Sequence, residues 1–140
     1  MKVQGLLHKQ KSGWAVELPL LLIFTQGNSK KDAYAMAKDA VESLVEKVGF
    51  AVAVHPGEGN EFTLSATDDQ ALMAFILKQR RAASGLTVRE VAKRMGSNSP
   101  RAYSKYEEGA TKPSLEKFSE LMQAIDDNAD LVLNVVKRTA

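Results

Sequence analysis

The sequence predicts an α+β fold in two parts: a small β-β-α-β-β domain, then an all-α domain that ends in a C-terminal strand. Three observations support this. Short apolar stretches separated by turn residues dominate the first 66 residues, with one helical stripe among them. Four helix-start signals follow after residue 66. The last apolar stretch, residues 131–136, is short and rich in β-branched residues, which favours a strand.

The first two strands are predicted at residues 3–8 and 14–24, joined by a hairpin loop of lysine, glutamine, serine and glycine at residues 9–13. The apolar run Leu20–Phe24 within the second strand is too long to alternate between two faces. A run of this kind is typical of a central buried strand. Residues 25–28 are polar and predict a break in the chain.

One helix is predicted to follow this break. Ser29 is its candidate N-cap, and apolar residues recur every three or four positions as far as Val48, before Gly49. Residues 50–54 and 62–66 then predict two further strands on either side of a turn rich in glycine.

The second part is predicted to contain four helices with defined ends. Their N-caps are predicted at Thr67, Thr87, Ser99 and Ser114, and the first three end at Gly85, Gly96 and Gly109. Pro100 suits the first position of the third helix. The domain boundary is therefore predicted near residue 66, which gives domains at residues 1–66 and 67–140.

Composition excludes several classes of site. The 140 residues include no cysteine, which excludes disulfides, thiolate zinc sites and cysteine nucleophiles. The longest apolar run, Leu18–Phe24, has seven residues and contains Pro19, so no transmembrane helix is predicted. The start of the chain lacks a secretory signal. These features predict a cytoplasmic protein that binds no cofactor and no membrane.

The charge is unevenly distributed along the chain. Residues 1–66 contain seven lysines and seven acidic residues, so their net charge is zero. Residues 77–112 contain nine basic residues against three acidic ones, a net charge of +6. A concentrated basic segment suggests a polyanionic partner, although a solvated helix surface has the same composition.

Residues 86–118 have the sequence LTVREVAKRMGSNSPRAYSKYEEGATKPSLEKF. Two short helices joined by a tight turn with glycine can place the second helix in the DNA major groove. The pattern L-T-x-x-E-x-A-x-x-x-G, then Y-S-K-Y-E-x-G, then K-P-S-L resembles the helix-turn-helix of Cro- and phage-repressor-type DNA-binding domains. Two departures are Val88, where the family usually has glutamine, and a turn one residue longer than the commonest form.

This resemblance implies which residues contact DNA. Arg101 and Lys105 occupy positions that often read base edges, and guanine is the natural target of both side chains. Tyr103 and Tyr106 are predicted to be core residues. Candidates for phosphate contacts are Thr87, Arg89, Ser99, Ser104 and Lys112, of which Arg89 and Lys112 equally suit a solvated helix face.

A second resemblance covers the first part of the chain. Gly13–Pro19, the corner Thr25–Ser29, and Asp32-Ala33 followed by Ala37–Val41 resemble the pattern of HicB-type antitoxins. This resemblance implies a partly degenerate, ribonuclease-H-like domain of order β-β-β-α-β, with a HicA-type toxin that cleaves mRNA as partner. Asp32 and Asp39 stand where the family has glutamates, and Pro19–Phe24 departs from the family's Pro-Asp-Leu-Pro-Gly.

No catalytic set is predicted in this first part. Ribonuclease-H chemistry needs several carboxylates converging on metal ions, and the predicted strands carry only Glu17. His8 and His55 are isolated in sequence and favour structural or solvated roles. We therefore expect neither enzymatic activity nor a metal site.

The leading interpretation is an antitoxin that neutralises a HicA-type toxin and represses its own operon by binding operator DNA as a homodimer or higher even oligomer. Candidate toxin-contact residues are Trp14, Leu20 and Phe24, because apolar and aromatic side chains anchor interfaces. Residues 131–136 and the fourth predicted helix of the second part are the candidate dimerisation elements, since an unpaired strand can pair with its copy in a second chain. The alternative is a stand-alone repressor whose first domain senses a small molecule or another protein.

Overall fold

A computed structural model describes residues 1–138 of the chain, so residues 139 and 140 of the predicted second domain lie outside the described residues. The chain divides into two compact units, Met1–Leu72 and Met73–Ala140. The α+β class is confirmed. The elements in order are β1 (Lys2–Lys9), β2 (Trp14–Leu18), β3 (Ile23–Gly27), α1 (Lys30–Val45), β4 (Val52–Pro56), β5 (Glu61–Ala66), α2 (Asp69–Ser84), α3 (Val88–Arg94), α4 (Arg101–Glu107) and α5 (Leu115–Ile125).

The first unit is a five-stranded sheet in the order β3-β2-β1-β5-β4, in which every neighbouring pair is antiparallel. Alternate residues of β1, β2 and β5 are buried, and α1 contributes Ala33, Ala37 and Val41 to the core. Gly5 lies opposite Phe62 in the β1–β5 ladder. A β-carbon at Gly5 would overlap the Phe62 ring, so the missing side chain leaves the space that this ring fills.

A close contact joins three elements at one end of the sheet. A side chain at Gly27, the last residue of β3, would overlap the backbone of Ala33 in α1, and one at Gly13 would overlap the Gly27 carbonyl. Ser29 caps α1 as predicted, because its Oγ accepts a 3.0 Å hydrogen bond from the Asp32 N–H. The Asp32 carboxylate accepts in turn from the Asn28 N–H at 2.8 Å. The β1–β2 hairpin and the start of α1 are thereby held together.

The prediction of one strand over residues 14–24 is wrong, because the chain turns at residues 19–22 and forms two strands. Hydrogen bonds from Leu21 N–H to Leu18 C=O and from Leu22 N–H to Pro19 C=O close this turn. Leu22 lies in the left-handed region at φ 54°. β3 also extends through most of the predicted polar break. It is an edge strand and not the predicted central one.

The predicted helix over residues 29–48 ends earlier, at Val45. Glu46 adopts the left-handed conformation, at φ 52°, and terminates α1. Val48 continues the apolar spacing of the sequence, yet its side chain is fully exposed. The Glu42 carboxylate instead accepts a 2.8 Å hydrogen bond from Val52 N–H, at the start of β4. Consequently β4 begins two residues later than predicted.

The cap of α2 is Asp68 and not the predicted Thr67. The Asp68 Oδ1 accepts a 3.0 Å hydrogen bond from the Ala71 N–H, whereas the Thr67 hydroxyl bonds Ala51 N–H and Gly49 C=O. Lys47 donates a 2.7 Å hydrogen bond to Asp68, and this contact lowers the pKa of the Asp68 carboxyl. The Thr67 hydroxyl therefore stabilises the loop before β4 and does not cap α2. α2 ends at Ser84, and Gly85 follows it as predicted, with φ 75°.

The predicted C-terminal strand at residues 131–136 is absent, since residues 126–138 contain neither helix nor strand. Val132 and Val135 are 82% and 95% exposed. A strand needs a neighbouring strand to satisfy its backbone hydrogen-bonding groups, and this single chain offers none to the segment. Its β-branched composition alone does not produce a strand.

Candidate nucleic-acid interface

Local hydrogen bonds define the start of α3 as the sequence predicts. The Thr87 Oγ1 accepts from the Glu90 N–H, and the Glu90 carboxylate accepts from the Thr87 N–H, both at 3.1 Å. These hydrogen bonds from Thr87 lower the pKa of the Glu90 carboxyl. Val91 and Ala92 are fully buried, so α3 presents a fixed face to the core of its unit.

The turn between α3 and α4 contains Gly96 at φ 87°, a conformation that glycine adopts without strain. The Ser99 N–H donates to the Ser97 Oγ at 3.1 Å. The predicted Ser99 cap is wrong: α4 begins at Arg101, with Pro100 at the N-cap position and no side-chain cap. Pro100 already has helical dihedral angles, and its carbonyl accepts from the Ser104 N–H at 3.0 Å. The helical hydrogen bonds thus start one residue later than a Ser99 cap requires.

Charged and aromatic side chains hold α4 against α2. Arg81, on α2, forms a two-pronged ion pair with Glu107 at the end of α4: its Nε and Nη2 each donate to one carboxylate oxygen at 2.7 Å. Its Nη1 donates to the Leu86 carbonyl at 2.9 Å. The buried Tyr103 ring adds a 3.4 Å hydrogen bond from its hydroxyl to the Leu77 carbonyl. The predicted burial of Tyr103 is confirmed, whereas Tyr106 is only half-buried.

The ionisation of these groups follows from their contacts. Burial raises the pKa of the Glu107 carboxyl, but hydrogen bonds from Arg81 and Tyr103 outweigh this effect, so the net shift is downward. The same bond to Glu107 raises the pKa of the Arg81 guanidinium. Burial raises the pKa of the Tyr103 hydroxyl. Glu107 is therefore a carboxylate and Tyr103 a neutral donor at neutral pH.

Arg101 and Lys105, the predicted base-contacting residues, are four residues apart on α4 and lie on the same side of this helix. The Arg101 guanidinium pairs with the exposed Glu108 carboxylate. The Lys105 ammonium lies 5.1 Å from the centre of the Tyr106 ring. Ser104 is half-buried beside them. Arg101 thus pairs with an exposed carboxylate and Lys105 with a half-buried ring, and a polyanion can draw both cationic groups from these partners.

The other predicted DNA contacts lie at the ends of the same two helices. Thr87 and Arg89 occupy the exposed start of α3, and Ser99 is exposed before α4. Lys112 is exposed in the segment after α4. Arg81 is one of the nine basic residues at 77–112, and no sequence pattern indicated that it pairs with Glu107. Only the position of α2 beside α4 reveals its pairing with Glu107.

The predicted toxin-contact residues do not lie together on one face. Trp14 is half-buried, with the ammonium groups of Lys9 and Lys30 4.8 and 5.0 Å from its ring centre. Lys30 belongs to α1, so the Trp14 ring lies on the helix side of the sheet. Phe24 is 73% exposed on β3, and Leu20 is half-buried in the turn before that strand.

The two histidines each contact a neighbouring strand. His8 Nε2 lies 3.0 Å from the Glu17 carboxylate, and His55 Nε2 lies 2.7 Å from the Ser65 hydroxyl. Among the described residues, no three histidine, aspartate or glutamate side chains are grouped as metal ligands. Nor does any helix within residues 1–138 have the length and apolar character needed to cross a bilayer.

Breaking the Arg81–Glu107 pair should destabilise the second unit. The two side chains are only 20% and 10% exposed, so Glu107→Gln leaves a guanidinium poorly compensated, at a cost of about 3 kcal/mol in the free energy of unfolding. Glu108→Gln, one residue along, removes an exposed pair and should change stability by less than about 1 kcal/mol. Urea unfolding followed by circular dichroism compares the variants, and equal losses would contradict this role for Glu107.

The same pair should make stability depend on pH. Because the pKa of Glu107 is lower in the folded protein, its contribution is present above its ordinary pKa of 4.5 and is lost as pH falls through the folded-state value. The stability difference between wild type and Glu107→Gln should therefore shrink below about pH 4. A difference that stays constant from pH 7 to pH 3 would show that Glu107 does not contribute through its charge.

Comparisons with known proteins agree with this geometry. Residues 77–126 match the helix-turn-helix family model, a range that begins within α2 and ends just after α5. It includes the paired helices α3 and α4 and the Arg81–Glu107 contact. No curated protein matches the chain. Residues 77–126 therefore form a helix-turn-helix DNA-binding domain, and the chain is a DNA-binding transcription regulator.

Proposed function

We propose that this regulator is the antitoxin of a type II toxin–antitoxin pair. Its first domain binds and neutralises a HicA-type toxin that cleaves mRNA, and its second domain represses the operon of the pair by binding operator DNA as a dimer. Neutralisation requires no chemistry by this chain, which we propose is not an enzyme. The observation that carries the proposal is the edge strand β3 together with the corner that follows it.

β3 has the properties of a strand that binds another protein. Natural edge strands are commonly protected by charged residues, proline or bulges, yet Ile23–Gly27 contains no charged residue and no proline. Phe24 projects from this strand and is 73% exposed. An exposed aromatic side chain beside unpaired backbone groups supports docking of a partner through this edge.

The corner Thr25–Ser29 supports the resemblance to HicB-type antitoxins. In the structure it forms one unit, because β3 ends at Gly27 against Ala33 and Ser29 caps α1. The elements β1 to β4 also follow the order β-β-β-α-β that the resemblance implied, with β5 added after them. The motif thus coincides with a structural junction and not with a variable loop.

The dimer proposal rests on the exposed C-terminal segment. One groove helix covers only a half-site, so tight operator binding needs two copies related by two-fold symmetry. Residues 131–136 are apolar apart from Asn134, include three β-branched valines, and are exposed from Val132 onward in the single chain. Pairing of this segment with its copy in a second chain supplies the hydrogen-bonding partner that one chain lacks.

Arg101→Ala should reduce operator affinity by roughly 1–3 kcal/mol and relax selectivity at one base position, as expected when a bidentate contact to guanine is lost. Lys112→Ala is the control for a phosphate contact, and it should weaken binding to all sequences alike. Electrophoretic mobility shifts against operator variants, each substituted at one base pair, provide the measurement. If Arg101→Ala retains full selectivity, base recognition lies elsewhere on α4.

Deleting residues 128–140 should convert dimers to monomers in sedimentation velocity. A milder variant keeps the segment: Val135→Asp places a charge on a 95% exposed apolar side chain and should weaken the dimer, because an unpaired charge is costly to bury in an interface. Asn134→Asp is the matched control, since it introduces the same charge at a polar neighbour. A deletion variant that remains dimeric would place the interface in another part of the chain.

Residues 1–66 alone should block an RNA-cleaving toxin encoded beside this chain, whereas residues 67–140 alone should not. In the full chain, Phe24→Asp should abolish neutralisation without affecting operator binding, because the charge lies on the docking edge and not in the second unit. Val48→Asp is the matched control, as it replaces another exposed apolar residue of the same unit. Toxin-dependent RNA cleavage in vitro is the readout. Failure of the first domain to relieve cleavage would favour a stand-alone repressor that senses a different signal.

A further inference from the structure

The zero net charge of residues 1–66 conceals a basic corner. Lys9 and Lys11 lie at the β1–β2 hairpin, and Lys30 and Lys31 occupy the first turn of α1. The contact of Gly13 with Gly27, and of Gly27 with Ala33, brings these two segments together. Four of the seven lysines in this part of the chain therefore gather at one end of the sheet. We call this group, together with Trp14, the lysine corner.

Asp32, in the first turn of α1, lies near this corner, whereas the later acidic residues of this segment lie away from it. Asp39, the nearest of the three in the later part of the helix, is nine residues from Lys30, or roughly 13 Å along the helix axis. Glu42 and Glu46 lie further along. Near the corner, Asp32 already accepts the Asn28 N–H, and Glu58 occupies the loop between β4 and β5. The corner is therefore positively charged.

The two lysines in the first turn of α1 oppose the helix dipole, whereas Asp32 in the same turn favours it. Acidic residues stabilise the first turn of a helix and basic residues the last turn. α1 instead begins with two lysines and has no basic residue in its last turn. The positive end of the dipole adds to the field of the lysines, which makes this end of the unit attractive to anions.

Trp14 gives the corner an aromatic surface. The Lys9 and Lys30 ammonium groups lie 4.8 and 5.0 Å from its ring centre, so both are held within about 10 Å of each other. Lys30 also reaches the Gly59 carbonyl, at the long distance of 3.5 Å. Exposed cation–π contacts are weaker than hydrogen bonds between an ammonium and a phosphate. A phosphate can therefore draw both ammonium groups away from the ring and leave its face free.

We propose that the lysine corner binds single-stranded nucleic acid, with Lys9 and Lys30 on the phosphates and a base stacked on Trp14. Basic side chains beside an aromatic ring are the elements by which proteins bind single strands without sequence preference. An acidic protein surface offers carboxylates for the lysines, but it needs an additional aromatic or arginine side chain at the right position to stack on the ring. Duplex DNA offers phosphates, but its bases are stacked inside and do not reach Trp14. The corner belongs to the first unit and adjoins the end of β3, where Trp14 lies opposite Gly27.

The fluorescence of Trp14 tests the proposal directly, because it is the single tryptophan of the chain. The full-length protein is titrated with dodecamers of uridylate and, separately, of thymidylate. We expect saturable quenching of tryptophan emission that weakens as salt rises, since phosphate binding releases counterions. Quenching by uridylate alone identifies RNA as the ligand, and equal quenching by both identifies single strands of either kind.

Paired variants assign the binding to the lysine corner. Lys9→Ala/Lys30→Ala should weaken the affinity measured by quenching at least about tenfold. The slope of log affinity against log salt should fall by about 1.4, which is about 0.7 for each lost phosphate contact. Lys2→Ala/Lys38→Ala removes the same charge from the same unit outside the corner and should leave affinity within about twofold of wild type. Circular dichroism confirms that both variants are folded.

Four outcomes would overturn the proposal. One is oligonucleotide binding, seen by anisotropy of a labelled strand, with unchanged Trp14 emission, which would place the strand on another surface. A second is equal loss of affinity in the two double variants. A third is stronger quenching by a duplex that lacks the operator than by a single strand. The fourth is equal quenching by polyglutamate or inorganic phosphate at matched charge, because this result would show that the site recognises charge alone.

Discussion

The Arg81–Glu107 ion pair is the contact on which the DNA-binding unit depends. α4 has only seven residues and no side-chain cap at its start, so it is too short to be stable or oriented by itself. Packing against α3 and the contacts of its last turn orient it, and there Glu107 receives two hydrogen bonds of 2.7 Å from Arg81 on α2. Tyr103 adds a buried aromatic contact one turn earlier. Because these groups face inward, Arg101 and Lys105 are left on the accessible side of the same helix.

A comparable constraint, made of backbone contacts, organises the first unit. Gly13, Gly27 and Ala33 approach so closely that no side chain fits at either glycine, and this contact sets where the hairpin, β3 and α1 meet. Two different surfaces result. β3 offers an uncharged edge with Phe24 exposed, which suits a protein partner. The lysine corner offers cations around Trp14, which suits phosphates. A neutral total charge is thus compatible with a locally basic surface.

The differences between prediction and structure share one cause, which is competition among contacts distant in sequence. Thr67 and Asp68 are both good caps, and Asp68 caps α2 because Thr67 is bonded to the backbone of Gly49 and Ala51. Val48 continues the helical spacing, but α1 ends before Val48 because the Glu42 carboxylate bonds Val52 N–H at the start of β4. Residues 131–136 have strand composition but no neighbour. Spacing and propensity describe a segment alone, whereas each of these outcomes depends on a partner elsewhere.

The sequence by itself determined the α+β class, the helix-turn-helix with its Thr87–Glu90 capping box, and the Ser29 cap of α1. These features are local: a cap or a turn needs only residues within four positions of one another, so its signal is complete in the sequence. Only the tertiary structure decided that Arg81 stabilises α4, that β3 is an edge strand, and that lysines 9 and 30 share one tryptophan ring. Contacts between residues that are 21 to 26 positions apart leave no periodic pattern in the sequence, because they depend on how whole helices and strands pack together.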